Sequence, residues 1–303
     1  MKVSLVATVK DAGPALDAWL ASVRAQTRQP DEVVVVDGGS ADGTWARLER
    51  AEGITAISEP GANIARGRNV AVRAAAHDLV AVSDADCVLA PAWLESLLGA
   101  LEGGADVAAG AYAPIAPTPW QVAASAHILD PQEIGPGWMP SSRSLAFRRE
   151  AFEAAGGYPE WLPIGEDMYL NQRWAELGLR IEPVPSALAW WRVRPTLGAT
   201  WRQYAGYAEG DAAAGMYLER HAIRFGAYVL AATALGGRRR WPKAIVAAAS
   251  IVRAVKPARR AWRRAPGPDR WKAVALVPVM LALTDLAKMW GYVRGLPLAA
   301  PEK

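Results

Sequence analysis

Short, uninterrupted apolar runs alternate along the first hundred residues with stretches whose apolar positions recur every three or four. Val3 to Val9, Glu32 to Val36, Ile54 to Ile57 and Leu79 to Ser83 are rich in β-branched residues and lack polar alternation. Strands buried on both faces read this way. Between them, Pro14 to Gln26, Ala41 to Arg50 and Ile64 to Ala76 carry the helical period. Alternation of this kind builds right-handed βαβ crossovers, so the pattern predicts an α/β fold: a mostly parallel, twisted sheet with helices on both faces. A helix from Pro91 to Glu102 and a strand from Ala105 to Tyr112 extend it.

After Tyr112 the punctuation changes. Pro114, Pro117, Pro119, Pro131, Pro136 and Pro140, with Gly135 and Gly137, break the alternation, which separates a first half, 1–113, from an irregular second half, 114–220. Leu179 to Val184 and Ala187 to Arg194 read as two closing strands. From Phe225 onward, the apolar segments Ala227 to Leu235, Ala244 to Val252 and Ala273 to Leu286 alternate with arginine-rich ones. None is a clean run of the roughly 20 apolar residues that a spanning helix needs. With tryptophans at their borders, these basic and apolar helices are expected to lie in an anionic membrane surface, packing against the rest of the chain being the alternative. The expected organisation is a domain over 1–220 and a membrane-associating region over 221–303.

Composition sharpens this in three places. The 303-residue chain carries a net charge of only +4, but its positive charge is concentrated beyond residue 237. One cysteine excludes an internal disulfide, and three scattered histidines match no zinc spacing. The apolar start, Met1 to Val9, has no small-residue cleavage site and runs directly into Lys10-Asp11. It is therefore read as a strand and not a signal peptide, with the catalytic part expected to face the cytoplasm. No Gly-x-Gly-x-x-Gly follows the first strand, no Walker lysine is present, and no nucleic-acid-binding fold is recognisable, so no nucleic-acid partner is expected.

Ligands of parallel sheets bind beyond the strand C-termini. Polar groups stand there: Thr8 and Lys10 after the first strand, Asp37 with Gly38-Gly39-Ser40 after the second, Asp84 and Asp86 after the fourth. On an extended backbone Asp84 and Asp86 point the same way and can share a cation; a solvated turn carries equal weight. Asp37 ends a wholly apolar strand, which predicts that it faces a ligand's donor groups. Asp42 is expected to cap the next helix, and Asn63 the helix that carries Arg68-Asn69. Glu166 and Asp167 open a helix whose apolar face is Leu170, Trp174 and Leu177, and capping alone would explain them. Trp120, Trp138 and Trp161 could stack on a sugar or be ordinary core side chains.

Taken together and in order, Thr8, Val35-Val36-Asp37-Gly38-Gly39-Ser40-Ala41-Asp42-Gly43-Thr44, Ala65-Arg66-Gly67-Arg68-Asn69, Asp84-Ala85-Asp86 and Gly165-Glu166-Asp167 resemble the family-2 glycosyltransferases of GT-A fold. The resemblance covers the first two-thirds of the chain. It implies a metal-dependent, inverting transfer of one sugar from a nucleotide-diphospho-sugar, most simply a UDP-sugar, to a lipid-linked or glycan acceptor at the cytoplasmic membrane face. It also implies roles for individual residues. Thr8, Lys10, Asp37, Arg68 and Asp84 would bind the donor, with Arg68 on the base or phosphates. Asp86 would hold Mn²⁺ or Mg²⁺, and Asp167 would be the base. Glu166, Trp138 and Arg194 would position the acceptor side. The chain departs from some relatives in having tryptophans and arginines near Trp190 where they carry a metal-binding histidine, which leaves Arg192 or Arg194 as alternative contacts to the diphosphate. It also lacks the Gln-x-x-Arg-Trp pattern of processive synthases near Gln203, which favours single transfer. Two rivals remain, a non-catalytic scaffold and a sugar nucleotidylyltransferase, the latter disfavoured because Lys10 to Pro14 supplies no glycine-rich arginine loop.

Overall fold

A computed structural model describes residues 1–298. Its first part alternates strand and helix as the pattern predicts: β1 (Val3–Val9), α1 (Pro14–Arg24), β2 (Glu32–Asp37), α2 (Thr44–Glu49), β3 (Thr55–Ser58), α3 (Ile64–Ala74) and β4 (Leu79–Asp84). These strands are parallel and ordered β3-β2-β1-β4. Next come β5 (Val88–Leu89), α4 (Trp93–Glu102), β6 (Val107–Ile115), α5 (Pro119–Ser125), β7 (Leu145–Arg148), α6 (Arg149–Ala154), α7 (Glu166–Glu176) and β8 (Ile181–Arg192). They extend the same eight-stranded sheet as β4-β7-β6-β8-β5.

Beyond β4 the pairing turns antiparallel: β4 with β7, β6 with β7, and β5 with β8. The sheet is therefore mixed beyond β4: β7 and β5 run against their neighbours, whereas β6 and β8 lie start beside start and end beside end, with Val107 N donating to Arg180 O and Val193 N to Ile115 O at 3.2 Å each. Apolar runs cannot reveal this, because a strand covered on both faces looks alike in either pairing. The two expected closing strands are one, β8. Its prolines, Pro183 and Pro185, precede the ladder with β5, which uses Ala189 and Trp190, so they do not interrupt it.

The chain divides into two compact units, one of 1–113 with 129–192 and one of 114–128 with 193–303. The first holds the sheet and a core in which Val6, Val34, Val36, Val80 and Val82 meet Phe147, Phe152, Tyr158, Leu170 and Trp174. Phe147 stacks on Phe152 at 5.0 Å between ring centroids. Helix α3 lies close on β1 at Gly67, where a Cβ would stand 2.9 Å from Thr8 Cγ2.

The second unit is helical: α5 with α8 (Leu197–Ala213), α9 (Leu218–Gly236), α10 (Arg240–Arg264) and α11 (Arg270–Gly295). Two glycines one turn apart let α11 meet α8 backbone to backbone. A Cβ at Gly291 would lie 1.9 Å from the Ala205 carbonyl oxygen, and one at Gly295 2.3 Å from that of Glu209. A buried carboxylate ties α9, α10 and α11 together: Asp285 accepts from Arg224 Nε at 3.1 Å and Tyr228 Oη at 3.0 Å, and pairs with Arg253. The segment Gly267–Leu298 is long and apolar enough to cross a membrane, with mean hydropathy 1.6 over an 18-residue window. The sequence reading saw no such run because Lys272, Asp285 and Lys288 interrupt it. Exposed apolar side chains such as Ile223, Leu230, Trp241, Ile251, Val252, Trp271 and Trp290 mark the outer faces of these helices.

Gly291→Ala tests the α8–α11 approach. Alanine is the better helix former by about 1 kcal/mol, yet its methyl meets a carbonyl oxygen, and overpacking of this kind costs about 1–3 kcal/mol. The expected outcome is a lower thermal midpoint for the purified protein in mild detergent, against an unchanged or raised one for Gly226→Ala, where the added Cβ meets nothing.

Candidate active site

Three adjacent strand ends define the site. The register pairs Thr8 with Asp84 and Val9 with Asp37, so the polar residues after β1, β2 and β4 stand in a row at one edge of the sheet. The loops behind them are stitched by side chains. Asp11 Oδ1 accepts from Ala41 N at 2.8 Å, and Asp11 N donates to Ser40 Oγ at 2.9 Å. Thr44 Oγ1 accepts from Ala12 N and Gly13 N at 3.0 Å each and donates to Asp42 Oδ1 at 2.6 Å. Asp42 also accepts from Thr44 N at 3.0 Å, but the cap position of α2 falls one residue later, at Gly43, which has no side chain to cap with, so the expected Asp42 cap is corrected to a turn contact.

The structure alters the reading in three places. Asp37 is buried, and its carboxylate accepts from the Ser40 hydroxyl and, at 3.0 Å, the Ser40 amide. These partners belong to its own turn.

The second correction concerns Asp84 and Asp86. Strand β4 stops at Asp84, and Cys87 N donates to Asp84 O at 3.0 Å across a turn formed by Ala85 and Asp86. The two carboxylates therefore do not share an extended backbone. Asp84 is half-buried and Asp86 exposed.

The third is Arg68, expected to reach the base or phosphates. It is 2% exposed. Its Nη2 pairs with Asp84 Oδ1 at 2.5 Å and its Nη1 with Glu166, while its guanidinium lies over the Tyr158 ring at 5.4 Å. Its Nε, also buried, meets no hydrogen-bond partner among the described residues. Arg68 is a strut between the end of β4 and the start of α7.

The neighbouring residue completes the brace. Asn69 accepts from Tyr158 N at 3.0 Å and donates to Tyr158 O at 2.8 Å, which fixes the segment leading to α7. Asn63 caps α3 as expected, accepting from Arg66 N at 2.8 Å.

Helix α7 begins after Gly165, whose φ of 87° suits glycine. Glu166 is buried and faces Arg68. Burial, with the adjacent Asp167 charge, pushes the Glu166 carboxyl up to about 7 against the pull of Arg68. Burial works against the charge on Arg68, but Asp84 and Glu166 outweigh it and raise the already high affinity of the guanidinium for its proton. Asp167 is half-buried, and its Oδ1 accepts from Met168 N at 2.8 Å.

Sequence reasoning missed Arg143. It lies just before β7, with Nε 3.6 Å from Asp84 Oδ2 and Nη1 donating to Ser141 Oγ at 2.9 Å. Its guanidinium stands 5.1 Å from the Trp191 ring centre and 5.7 Å from that of Tyr112. Only the antiparallel pairing of β7 with β4 brings it there. Beneath, the buried Cys87 thiol is pushed up by burial and by Asp84 and Asp86, with Arg143 opposing.

The remaining expected residues are less closely tied to this network. Trp138 donates to Gly110 O at 3.0 Å and leans on Tyr112 at 5.8 Å. Lys10 is exposed after β1, and Arg194 is exposed in the second unit. Trp161 is exposed against Tyr169.

Among the described residues no group of three or more His, Cys, Asp or Glu could by itself cage a metal. An exposed carboxylate at Asp86 beside Asp84 nevertheless suits Mg²⁺ or Mn²⁺, which take hard oxygen ligands and draw most of them from phosphates and water. The donor set fits a cation that arrives with its substrate.

The sequence profile of the family described as glycosyl transferase family 2 matches residues 4–155. Among curated proteins, the N-acetylglucosaminyl-diphospho-decaprenol L-rhamnosyltransferase of Mycobacterium tuberculosis is 28% identical over 229 residues, 60% of this chain and 73% of the relative. Among solved structures, the mannosyltransferase PcManGT from Pyrobaculum calidifontis, in complex with GDP-Man and Mn²⁺, superposes with a TM-score of 0.57 at 19% identity, over 97% of this chain and 87% of that one. S. aureus TarS gives a TM-score of 0.49 at 18% identity, over 70% of this chain and 42% of its own.

The strut has a stability signature. Arg68→Met leaves Asp84 and Glu166 without their shared cation and is expected to cost about 3–5 kcal/mol, with partial recovery in Arg68→Met/Glu166→Gln, measured by denaturant unfolding. A pH series tests Glu166. The folded protein keeps this proton to about pH 7, whereas the unfolded chain releases it near the ordinary 4.5, so the group's contribution to stability declines as pH rises between those values. Glu166→Gln should flatten the fall in thermal midpoint over that window.

Proposed function

The chain belongs to glycosyl transferase family 2, and from that premise we propose that it moves one sugar from a UDP-sugar to a hydroxyl of a lipid-linked acceptor, inverting the anomeric centre. The observation that carries this reading is the strut Asp84–Arg68–Glu166, which joins the end of a parallel strand to the helix start that bears Asp167. Donor and acceptor chemistry need a fixed separation, and a doubly paired guanidinium supplies it.

In this reading the nucleoside rests beyond β1 and β2, near Thr8, Lys10 and Asp37. Asp84, oriented by Arg68, meets the donor. Asp167 takes the proton of the acceptor hydroxyl as that oxygen attacks the anomeric carbon from the face opposite the leaving diphosphate. A single displacement inverts the centre. A divalent cation held through Asp86 would neutralise the charge that grows on the diphosphate. Trp138 and Arg194 belong, in this proposal, to the acceptor side.

The acceptor class rests on two supports. The mycobacterial relative is named for a diphospho-decaprenol substrate, and the helices from 221 onward combine an apolar outer face with a basic run at Arg238, Arg239 and Arg240. They are assigned to the cytoplasmic surface of an anionic membrane, with 1–220 as the catalytic region.

Two substitutions separate the roles. Asp86→Ala should lose the Mn²⁺-dependent part of nucleoside diphosphate binding, read by calorimetry with and without EDTA. Asp167→Asn should keep that binding and lower turnover by about 100-fold or more, in the range ascribed to general-base catalysis. Near-normal turnover in Asp167→Asn would sink the base assignment. Flotation with vesicles addresses the helices: the full chain is expected to rise with phosphatidylglycerol vesicles and to release in high salt.

A further inference from the structure

Charge at the site is unbalanced toward the negative. Asp84, Asp86, Glu166 and Asp167 gather around Arg68 and Arg143. A diphosphate adds more negative charge, which grows as the anomeric C–O bond breaks and its electron pair stays on the β-phosphate oxygen. The acceptor oxygen forms the new bond and gives its proton to Asp167. A divalent cation held through Asp86 would offset part of this, and a positive group from the protein would offset more.

Arg68 cannot be that group. It is 2% exposed, and both its Nη atoms are engaged by carboxylates. Turning toward a ligand would abandon Glu166 or Asp84 in a buried position. Lys10 is exposed after β1, and its stem passes Gly38, where a Cβ would lie 3.8 Å from Lys10 Cδ, which puts it on the side of β2.

Arg143 meets the requirements. Its side chain is 20% exposed, and its Nε faces Asp84 Oδ2, while Arg68 pairs with Oδ1. The Trp191 and Tyr112 rings and the Ser141 hydroxyl hold the guanidinium, so its orientation is set before a substrate arrives. A permanently charged group fixed in this way, with its side chain partly open to solvent, suits the charge of a diphosphate. We propose that Arg143 is a catalytic residue that binds the diphosphate of the donor and stabilises it as it leaves, giving the site its preference for nucleoside diphosphates over monophosphates. This deepens the donor reading above and rests on it.

The test compares UDP with UMP, and GDP and dTDP with their monophosphates, by calorimetry on the full chain with Mn²⁺. Wild type should bind the best diphosphate at least about tenfold more tightly than its monophosphate. Arg143→Gln should shrink that ratio by about 10-fold or more while monophosphate affinity stays within about twofold, and Arg143→Lys should restore part of it. In turnover assays Arg143→Gln should lower kcat and leave the acceptor KM unchanged. Retained monophosphate binding is also the control for folding. An unchanged ratio, or equal losses for both nucleotides, would overturn the proposal; equal losses would mean that Arg143 acts only through Asp84. Absence of binding by wild type to any of these nucleotides would overturn the donor reading itself, a result distinct from either.

Discussion

One buried guanidinium sets the geometry on which the site depends. Arg68 is paired with Asp84 on the strand side and with Glu166 on the helix side, so neither carboxylate can shift without leaving charge unpaired in a low-dielectric region. Its reach depends in turn on the residue before it. Gly67 has no Cβ to strike Thr8 Cγ2, and α3 therefore lies low enough on β1 for the next side chain to cross to β4. Lysine could not replace the arginine, because a point charge on a flexible stem cannot face two carboxylates in a fixed plane.

The parallel strands were legible because burial on both faces leaves a plain signature: β1, β2 and β4 fall where the apolar runs end. What the runs could not carry was direction of pairing, and the reversed strands β7 and β5, with the fusion of two expected strands into β8, came only with the structure. The site residues follow the same division. Arg68 stood out by its place in a motif, but a sequence does not show burial, and its ascribed contact with a nucleotide gave way to a contact with two carboxylates. Asp84 and Asp86 were read on an extended backbone that stops one residue too early. Arg143 gave no signal, since its meeting with Asp84 depends on β7 lying antiparallel to β4.

The helical unit shows the same limit from the other side. Charges at Asp285 and Lys288 break the apolar runs, and in the linear sequence they argue against a long apolar helix. In the fold Asp285 turns inward to Arg224, Tyr228 and Arg253, and Lys288 Nζ lies 5.3 Å from the centre of the Tyr204 ring. The outer face of α11 is left to residues such as Val279, Leu286, Trp290 and Val293. Charge that lowers the hydropathy of a segment thus need not lower that of its exposed surface, which is the quantity a lipid meets.

Asp84 ends the strand that lies between parallel β1 and antiparallel β7. From α3 Arg68 takes Oδ1, and from the segment before β7 Arg143 approaches Oδ2. A carboxylate approached by a guanidinium at each oxygen has little freedom to follow a ligand through a reaction. Asp86 lies in the turn after the strand and is exposed, and its Oδ1 accepts from the Cys87 thiol at 3.7 Å. The short turn that removes the two aspartates from a common strand therefore makes their settings unequal: one is half-buried between two guanidinium groups, the other stands at the surface beside a buried thiol.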